Sequence, residues 1–144
     1  MELTVRGARR EDYSAVYPLF EQLWPNKELH SKELQAVFDR GVAGDGDELF
    51  CLLQDGKVIG FCAYAIVNNL WQEGRIAYIY AMVVDERQRG KGYGTTLLEH
   101  AIESAREKGL KRVELDSGFP REKAHRFYEK TGFEKRAYLF SYIL

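Results

Sequence analysis

A short run of basic residues and glycines carries the clearest chemistry in the sequence. Residues 87–92, here called the cradle, read Arg87, Gln88, Arg89, Gly90, Lys91 and Gly92, and Tyr93, Gly94 and Thr95 follow. Glycines let a backbone approach a ligand closely, and the first amides of a following helix are donors without an intrahelical partner. Because cations stand beside those amides, the run predicts an anion site suited to a pyrophosphate.

The spacing of the cradle glycines separates it from two better-known phosphate loops. A P-loop requires G-x-x-x-x-G-K-[ST], which is absent, and a dinucleotide fingerprint requires G-x-G-x-x-G near the first strand of its fold. Here the glycines are two residues apart, at 90, 92 and 94. A plain strand-to-helix turn would explain the glycines but not the basic residues between them.

The cradle matches the pattern R/Q-x-x-G-x-G/A and follows an apolar stretch that ends Met82, Val83, Val84. A second segment, Ala124-His125-Arg126-Phe127-Tyr128-Glu129-Lys130-Thr131-Gly132-Phe133, matches A-x-x-F-Y-x-x-x-G-F. Both motifs, in this order, resemble the GNAT superfamily of N-acetyltransferases, and the resemblance covers essentially the whole chain.

The resemblance implies an α/β fold with a mixed, mostly antiparallel twisted sheet flanked by about four helices. Its central strand would carry a bulge and splay from its neighbour to admit acetyl-CoA, the implied cosubstrate, and no metal is implied. Backbone groups of 82–84 would bind the pantetheine and help to polarise the thioester carbonyl, and amides of 88–95 would hold the pyrophosphate. The implied binding residues are Met82, Val83, Val84, Arg87, Gln88, Arg89, Gly90, Lys91, Gly92, Tyr93, Gly94, Thr95, Arg121 and Tyr128.

Acyl transfer to an amine needs a neutral nucleophile, stabilisation of the developing oxyanion and a proton for the departing thiolate. Tyr128 corresponds to the tyrosine that lies near the CoA sulfur in relatives, and a phenol remains protonated at neutral pH. We therefore predict Tyr128 as the general acid. The alternative is ordinary core packing, together with Phe127 and Phe133.

The general base is less well specified. Relatives often carry a Glu or His on the central strand, but residues 76–80 contain neither. Tyr78 and Tyr80 share one face by strand alternation, and Glu73 precedes the strand. Water relayed to Glu73 or to a tyrosine is our prediction, while core packing explains both tyrosines as well. His125 stands three residues before Tyr128 and fits a capping or core histidine equally well.

One position departs from the family pattern. Many relatives place an asparagine that contacts CoA three residues before the alanine of the second motif, and here that position is Arg121. An arginine would reach the CoA phosphates or the adenosine instead.

The expected reaction is direct transfer of an acetyl group to a primary amine. The stretch 20–26 resembles the first helix and Trp-Pro turn of aminoglycoside 6'-N-acetyltransferases, and an acidic acceptor side would attract polycations. Solvated surface charge is the alternative, so a small amine, an aminoglycoside or polyamine, and a protein amine all stay open. A non-catalytic acyl-CoA-binding regulatory module is the alternative function. The acidic residues are Glu21, Glu28, Asp45, Asp47, Glu48 and Glu73.

The periodicity of the hydrophobic residues predicts the helices and strands that position these residues. Asp-Gly at 55–56 predicts a hairpin between strands 49–54 and 58–67. The nearly continuous apolar run 75–85 predicts the central strand. The remaining predictions are a strand at 3–6, a helix after the N-cap Asp12 that stops at Pro25, a helix from about Ser31 that is ended by the run 41–47, a helix at 95–108, a strand at 112–116, a helix at 122–131, and one or two closing strands over 133–144.

Composition limits the number of domains, the partners and the location that the sequence predicts. A chain of 144 residues that is 45% hydrophobic is expected to form one domain over 1–144. A net charge of -1 and a pI near 6.3 argue against direct nucleic-acid binding. The absence of a signal-peptide pattern and of a run of about 18 apolar residues predicts a cytoplasmic protein with no membrane partner and reduced, structural cysteines. A homodimer is a family-level expectation, which the apolar C-terminus 138–144 supports weakly.

Overall fold

The structure is a computed structural model that describes residues 2–118 and 120–144. In chain order its elements are β1 (Leu3–Gly7), α1 (Tyr13–Leu23), α2 (Ser31–Ala43), β2 (Asp47–Gln54), β3 (Lys57–Asn69), β4 (Gly74–Val84), α3 (Tyr93–Glu107), β5 (Val113–Leu115) and α4 (Glu122–Lys130). Short 3₁₀ turns cover Arg10–Asp12 and Glu86–Gln88. The predicted α/β fold is confirmed.

The strands form one five-stranded sheet in the order β1-β2-β3-β4-β5. Pairing is antiparallel from β1 through β4. Lys111 donates to the carbonyl of Arg75 at 2.8 Å, and Ala77 donates to the carbonyl of Arg112 at 2.9 Å. Because residue numbers rise together across this pairing, β5 runs parallel to β4. The sheet is mixed and mostly antiparallel, as predicted.

The hairpin between β2 and β3 turns through Asp55 and Gly56, whose φ angles are 50° and 82°. Gln54 pairs directly with Lys57, so the loop has two residues. Positive φ at both loop positions is the geometry that Asp-Gly favours, since its twist matches that of the strands. The predicted hairpin is confirmed.

One face of the sheet packs against α1 and α2. A buried cluster joins Val16 and Phe20 of α1 and Phe38 of α2 to Phe61 of β3. The rings of Phe20 and Phe61 meet edge to face with centroids 5.3 Å apart. This layer fixes the distance of α1 and α2 from the strands.

The opposite face packs against α3. Leu97, Leu98 and Ala101 of α3 are fully buried, and Tyr64 of β3 shares a 2.8 Å hydrogen bond with Ser104. Cys51 and Cys62 are free and fully buried in the sheet. Burial raises the pKa of each thiol to about 12, which fits the predicted structural role.

Strand β4 carries a bulge at Tyr80. Ala81 lies opposite Ala63, whereas Ile79 lies opposite Tyr64, so Tyr80 is an extra residue on β4. A bulge bends its strand and redirects a side chain, and bulges are frequent beside active sites. The bulge implied by the family resemblance is therefore present.

Two helix ends follow the sequence prediction in position but not in every contact. The run 41–47 was expected to end α2, and α2 ends within it, at Ala43, while Gly41 lies close to Leu49 inside the fold. Asp12 occupies the predicted N-cap position of α1, yet its carboxylate makes no cap hydrogen bond to α1 and accepts instead from the Arg9 amide at 2.7 Å and from the Arg6 guanidinium at 2.7 and 3.0 Å. Asp12 thus stabilises the turn before α1 rather than α1 itself.

Contacts divide the chain into two compact units, of which the first ends at Glu114 and the second is Leu115–Leu144. One domain over 1–144 stays a prediction. Within the second unit the segment 133–144 forms neither helix nor strand, so the predicted closing strands were wrong. The apolar side chains from Tyr138 to Leu144 are largely exposed there. Among the described residues, no helix is long and apolar enough to cross a membrane.

Candidate active site

The turn after β4 is organised by Asp85, a nearly buried carboxylate. Its amide donates to the carbonyl of Ile59 at 2.8 Å and so continues the pairing with β3. Its Oδ1 accepts from the Arg87 amide at 3.1 Å, and its Oδ2 accepts from Arg87 Nη2 at 3.2 Å. The hydrogen bond from Arg87 lowers the pKa of the Asp85 carboxyl. A charged Asp85 therefore holds the first turn of the cradle.

Gly90 and Gly92 form the bend that leads from this turn into α3. Their φ angles are 80° and 82°, and a Cβ at either position would meet no atom within 4 Å. Backbone conformation, and not lack of space, therefore requires glycine here. The open space around both residues leaves their backbone accessible to a ligand.

Helix α3 begins directly at this bend. The Gly92 carbonyl accepts the first helical bond, from the Thr96 amide at 3.2 Å. The amides of Tyr93, Gly94 and Thr95 precede that bond and have no intrahelical acceptor. They lie at the positive end of the helix dipole, so the geometry fits an anion beside Gly90 and Gly92.

The three cations of the cradle have different partners. Arg87 is in an ion pair with Asp85. Arg89 Nε donates to the carbonyl of Val84 at 3.0 Å, and Lys91 Nζ donates to Gln88 Oε1 at 3.1 Å. Because those partners are neutral, Arg89 and Lys91 keep their full charge for a ligand, whereas part of the Arg87 charge is offset.

Strand β4 extends beyond the end of β5. The amide of Ala77 donates to the carbonyl of Arg112 at 2.9 Å. Strand β5 ends at Leu115, three residues after Arg112, whereas β4 continues to Val84, seven residues after Ala77. The upper part of β4 therefore has a neighbour in β3 but extends past β5.

The alternation of the strand backbone decides which groups face that side. Asp85 directs its amide toward β3, so the amide and carbonyl of Val84 and Met82 point away from β3. The Val84 carbonyl accepts from Arg89. Met82 is thus the residue of 82–84 whose backbone groups are best placed for a ligand lying along β4.

A glutamine of α1 joins the cradle to the helical layer. Gln22 Oε1 accepts from the Glu86 amide at 2.8 Å, and Gln22 Nε2 lies 3.5 Å from Asp85 Oδ1. These contacts span 64 and 63 residues of sequence. Gln22 was missed by the sequence reasoning, since no local pattern signals a contact of this range.

The bulge on β4 directs Tyr80 toward α2 and the start of β2. The Tyr80 hydroxyl donates to Asp47 Oδ2, and a Cβ on Gly41 of α2 would lie 3.5 Å from that hydroxyl. Tyr78 lies opposite Ala65, on the same face as Ala63, so it faces the same layer as Tyr80. The predicted shared face of the two tyrosines is confirmed, but their role stays a prediction.

An open cavity of about 300 Å³ borders this pair. Three of its lining residues are acidic, and Glu48 among them pairs with Lys108 Nζ at 2.7 Å. The sequence predicted acidic residues on this side but not the bond between Asp47 and Tyr80. The lining residues are Gly7, Ala8, Gly41, Val42, Gly44, Asp45, Asp47, Glu48, Leu49 and Lys108.

Glu73 lies far from the cradle. It occupies the turn before β4 with a φ of 58°, and its amide donates to the carbonyl of Leu70 at 3.1 Å. The whole of β4 separates it from Asp85, a span of roughly 35 Å for an extended strand of this length. Its role as a base stays a prediction that this position does not favour.

Tyr128 lies on α4 in the second unit. Its ring contacts Phe127 and Phe133 edge to face, with centroids 5.3 and 5.8 Å apart. Arg121 caps α4, and its amide donates to the carbonyl of Gly118 at 3.0 Å. His125 Nε2 lies 2.9 Å from the same carbonyl, which matches the capping alternative for this histidine. The ring packing predicted for Tyr128 is present, and its catalytic role stays a prediction.

In the part of the chain that the structure describes, no group of three or more His, Cys, Asp or Glu residues is arranged to hold a metal ion. The polar groups gathered at the cradle and at the cavity are amides, guanidinium and ammonium groups, carboxylates and a phenol. Such groups suit anion binding and proton transfer.

Comparison with known proteins agrees with this geometry. A glucosamine 6-phosphate N-acetyltransferase of Trypanosoma brucei brucei is 33% identical over 92% of this chain and 90% of its own. An aminoalkylphosphonate N-acetyltransferase of Salmonella typhimurium is 30% identical over 97% and 90%. A solved acetyltransferase of Trypanosoma brucei is 29% identical and superposes with a TM-score of 0.79. The match covers 99% of this chain and 100% of that one. The acetyltransferase (GNAT) family model matches residues 13–133, and this chain belongs to that family.

Proposed function

We propose that the protein transfers the acetyl group of acetyl-CoA directly to a primary amine. The proposal is carried by the open bend at Gly90 and Gly92, which leads directly into the first amides of α3 and lies beside Arg89 and Lys91 in the chain. That arrangement suits a pyrophosphate bound to the protein through backbone donors.

The residues present fit the phosphate end of acetyl-CoA. The amides of 93–95 would donate to the pyrophosphate, and Arg89 and Lys91 would approach it from the exposed side of the cradle. Arg87 would contribute less, because Asp85 already pairs with it. Arg121, in place of an asparagine, adds a further cation for a phosphate or the adenosine.

The edge of β4 fits the pantetheine. Its amides need donors and acceptors in an extended row, which a strand edge supplies. Met82 directs its backbone groups to the side on which β5 ends, and Val84 follows two residues later. Of the predicted residues 82–84, the backbone groups of Met82 and the amide of Val84 would hold the arm and help to polarise the thioester carbonyl, whereas the backbone groups of Val83 face β3.

Acetyl-CoA supplies an activated acyl group whose thiolate is a good leaving group. Tyr128 would donate a proton to that leaving group, since a phenol is protonated at neutral pH. A group near the amine must accept a proton before the nitrogen can attack. Tyr78 and Glu73 remain the predicted candidates for that step.

The cavity beside β2 favours a small, cationic acceptor. Its volume, about 300 Å³, lies at the lower end of the range for small-molecule sites. Asp45 and Asp47 line it, and carboxylates attract an ammonium group. The two relatives named above act on small amines, and the cavity is small, so a small amine is proposed ahead of aminoglycosides, polyamines and protein amines.

A thiol-release assay tests the proposal. The purified protein would be mixed with acetyl-CoA and, separately, glucosamine 6-phosphate, an aminoalkylphosphonate, an aminoglycoside, spermidine and a lysine peptide. We expect amine-dependent release of CoA and an acetylated product by mass spectrometry for at least one amine. Tight acetyl-CoA binding by calorimetry with no release for any amine would instead support the non-catalytic acyl-CoA-binding module.

A further inference from the structure

At the bulge, the side chain of Tyr80 reaches from β4 past β3 to β2. Asp47 pairs with Ala65 of β3, and Ala65 in turn pairs with Tyr78 of β4. Tyr80 nevertheless donates to Asp47 Oδ2, because the extra residue turns its ring toward β2 and α2. The bond joins residues 33 positions apart.

This pair stands at the edge of the cavity. Asp47 and Gly41 both line it, and the Tyr80 hydroxyl lies beside Gly41. Tyr80 is 38% exposed, so part of the residue is open to a ligand. One residue, Ala81, separates Tyr80 from Met82, so these two positions lie about 6 to 7 Å apart along the strand. An amine bound at Tyr80 would therefore lie near an acyl group held at Met82.

Among the described carboxylates that line the cavity, Asp47 accepts from the Tyr80 hydroxyl. Glu48 is engaged by Lys108 at 2.7 Å, and Asp45 is exposed on the loop before β2. Burial, with the hydrogen bond to Asp47, raises the pKa of Tyr80. Tyr80 is thus protonated and has its proton directed at Asp47.

We propose that Tyr80 contacts the acceptor nitrogen and relays one of its protons to Asp47. This inference rests on the proposed acetyl transfer. The nitrogen gives a proton to the Tyr80 oxygen while the Tyr80 proton passes to Asp47 and later to solvent. The nitrogen lone pair then forms the C–N bond as the C–S bond breaks. The second nitrogen proton passes to solvent as the amide forms, Tyr128 gives its proton to the departing sulfur, and Tyr128 then regains a proton from solvent.

The relay is tested by Tyr80→Phe, Asp47→Asn and the double variant, assayed with an amine that the unaltered protein acetylates. Proton transfer by a positioned side chain contributes roughly 10²–10⁴-fold, so we expect each single variant to lose at least about tenfold in kcat. Because the two residues act as one unit, kcat of the double variant should fall no further than kcat of the more impaired single variant. Acetyl-CoA affinity by calorimetry should stay within twofold.

Two further variants separate a chemical role from a structural one. Tyr64→Phe also removes a hydrogen-bonded phenol from the sheet, but on the α3 face, and should leave kcat within twofold. Asp47→Glu keeps a carboxylate and should retain at least about tenfold more turnover than Asp47→Asn. Additive losses in the double variant, or unchanged kcat in either single variant, would overturn the relay alone. Absence of turnover by the unaltered protein with every amine would overturn the proposed function and the relay together.

Discussion

Gln22 and Asp85 connect the first helix to the end of the central strand, with Gln22 Nε2 3.5 Å from Asp85 Oδ1. The same side chain accepts from the Glu86 amide at 2.8 Å. The residues that directly precede the cradle are therefore held by both β4 and α1. A displacement of α1 would therefore displace the residues that precede the phosphate site.

Gln22→Ala should weaken acetyl-CoA binding. The change removes about one neutral hydrogen bond from the cradle, worth about 1 kcal/mol, and so predicts a rise in Kd of about threefold to tenfold by calorimetry. Glu21→Ala is the control, because Glu21 is an exposed neighbour on α1. Equal Kd values for the two variants would show that Gln22 does not support the cradle.

Gly92→Ala is predicted to damage the cradle more than the fold. Gly92 and Gly56 share a φ of 82°, and a Cβ at either residue would meet no atom within 4 Å. Both alanine variants should lose a similar stability, about 1–2 kcal/mol, since both force a left-handed residue. Chemical denaturation checks this equality. Only Gly92→Ala should raise the Kd for acetyl-CoA by tenfold or more. An equal rise in Kd for Gly56→Ala would contradict a phosphate site at Gly92.

Local patterns predicted the cradle and the hairpin because their chemistry is local. The glycines of the cradle predict a bend, and Asp55 followed by Gly56 predicts a two-residue turn. The bonds from Tyr80 to Asp47 and from Gln22 to Asp85 join residues 33 and 63 positions apart, so no local pattern contains them. Alternation across 133–144 shows which side chains would share a face but supplies no partner strand, and that prediction failed.

Asp12 is predicted to make stability depend on pH in acid. The hydrogen bond from Arg6 is the main cause that lowers the pKa of this nearly buried carboxyl. A lowered folded-state pKa stabilises the protein above the unfolded-state value, near pH 4, and that contribution is lost as pH falls through the folded-state pKa. Asp12→Asn should thus cost about 1–3 kcal/mol at pH 7, with a difference from the unaltered protein that shrinks below about pH 4.

Urea unfolding from pH 7 down to pH 2 measures that difference. Glu103→Gln is the control, because the pair between Glu103 and Arg106 is exposed and should contribute about 0.5 kcal/mol or less at any pH. A constant difference between Asp12→Asn and the unaltered protein across the range would refute the pH dependence.

Tyr128→Phe should lower kcat while acetyl-CoA affinity stays nearly unchanged. Phenylalanine keeps the ring contacts with Phe127 and Phe133 and removes the hydroxyl that we propose protonates the thiolate. General acids contribute roughly 10²–10⁴-fold, so a loss of at least about tenfold is expected in steady-state assays. Tyr142→Phe removes an exposed hydroxyl from the same unit and should have no effect. Unchanged turnover in Tyr128→Phe would remove Tyr128 from the acid role.

Gly41→Ala should narrow the acceptor cavity without harming the fold. A Cβ on Gly41 would lie 2.9 Å from Leu49 Cδ1 and 3.5 Å from the Tyr80 hydroxyl. The end of a leucine side chain can shift, and alanine in a helix is favoured over glycine by about 1 kcal/mol, so thermal stability should change little. The added methyl group occupies space beside Tyr80, so KM for the amine should rise several-fold while the Kd for acetyl-CoA is unchanged. If KM for the amine stays the same, the acceptor does not enter by this cavity.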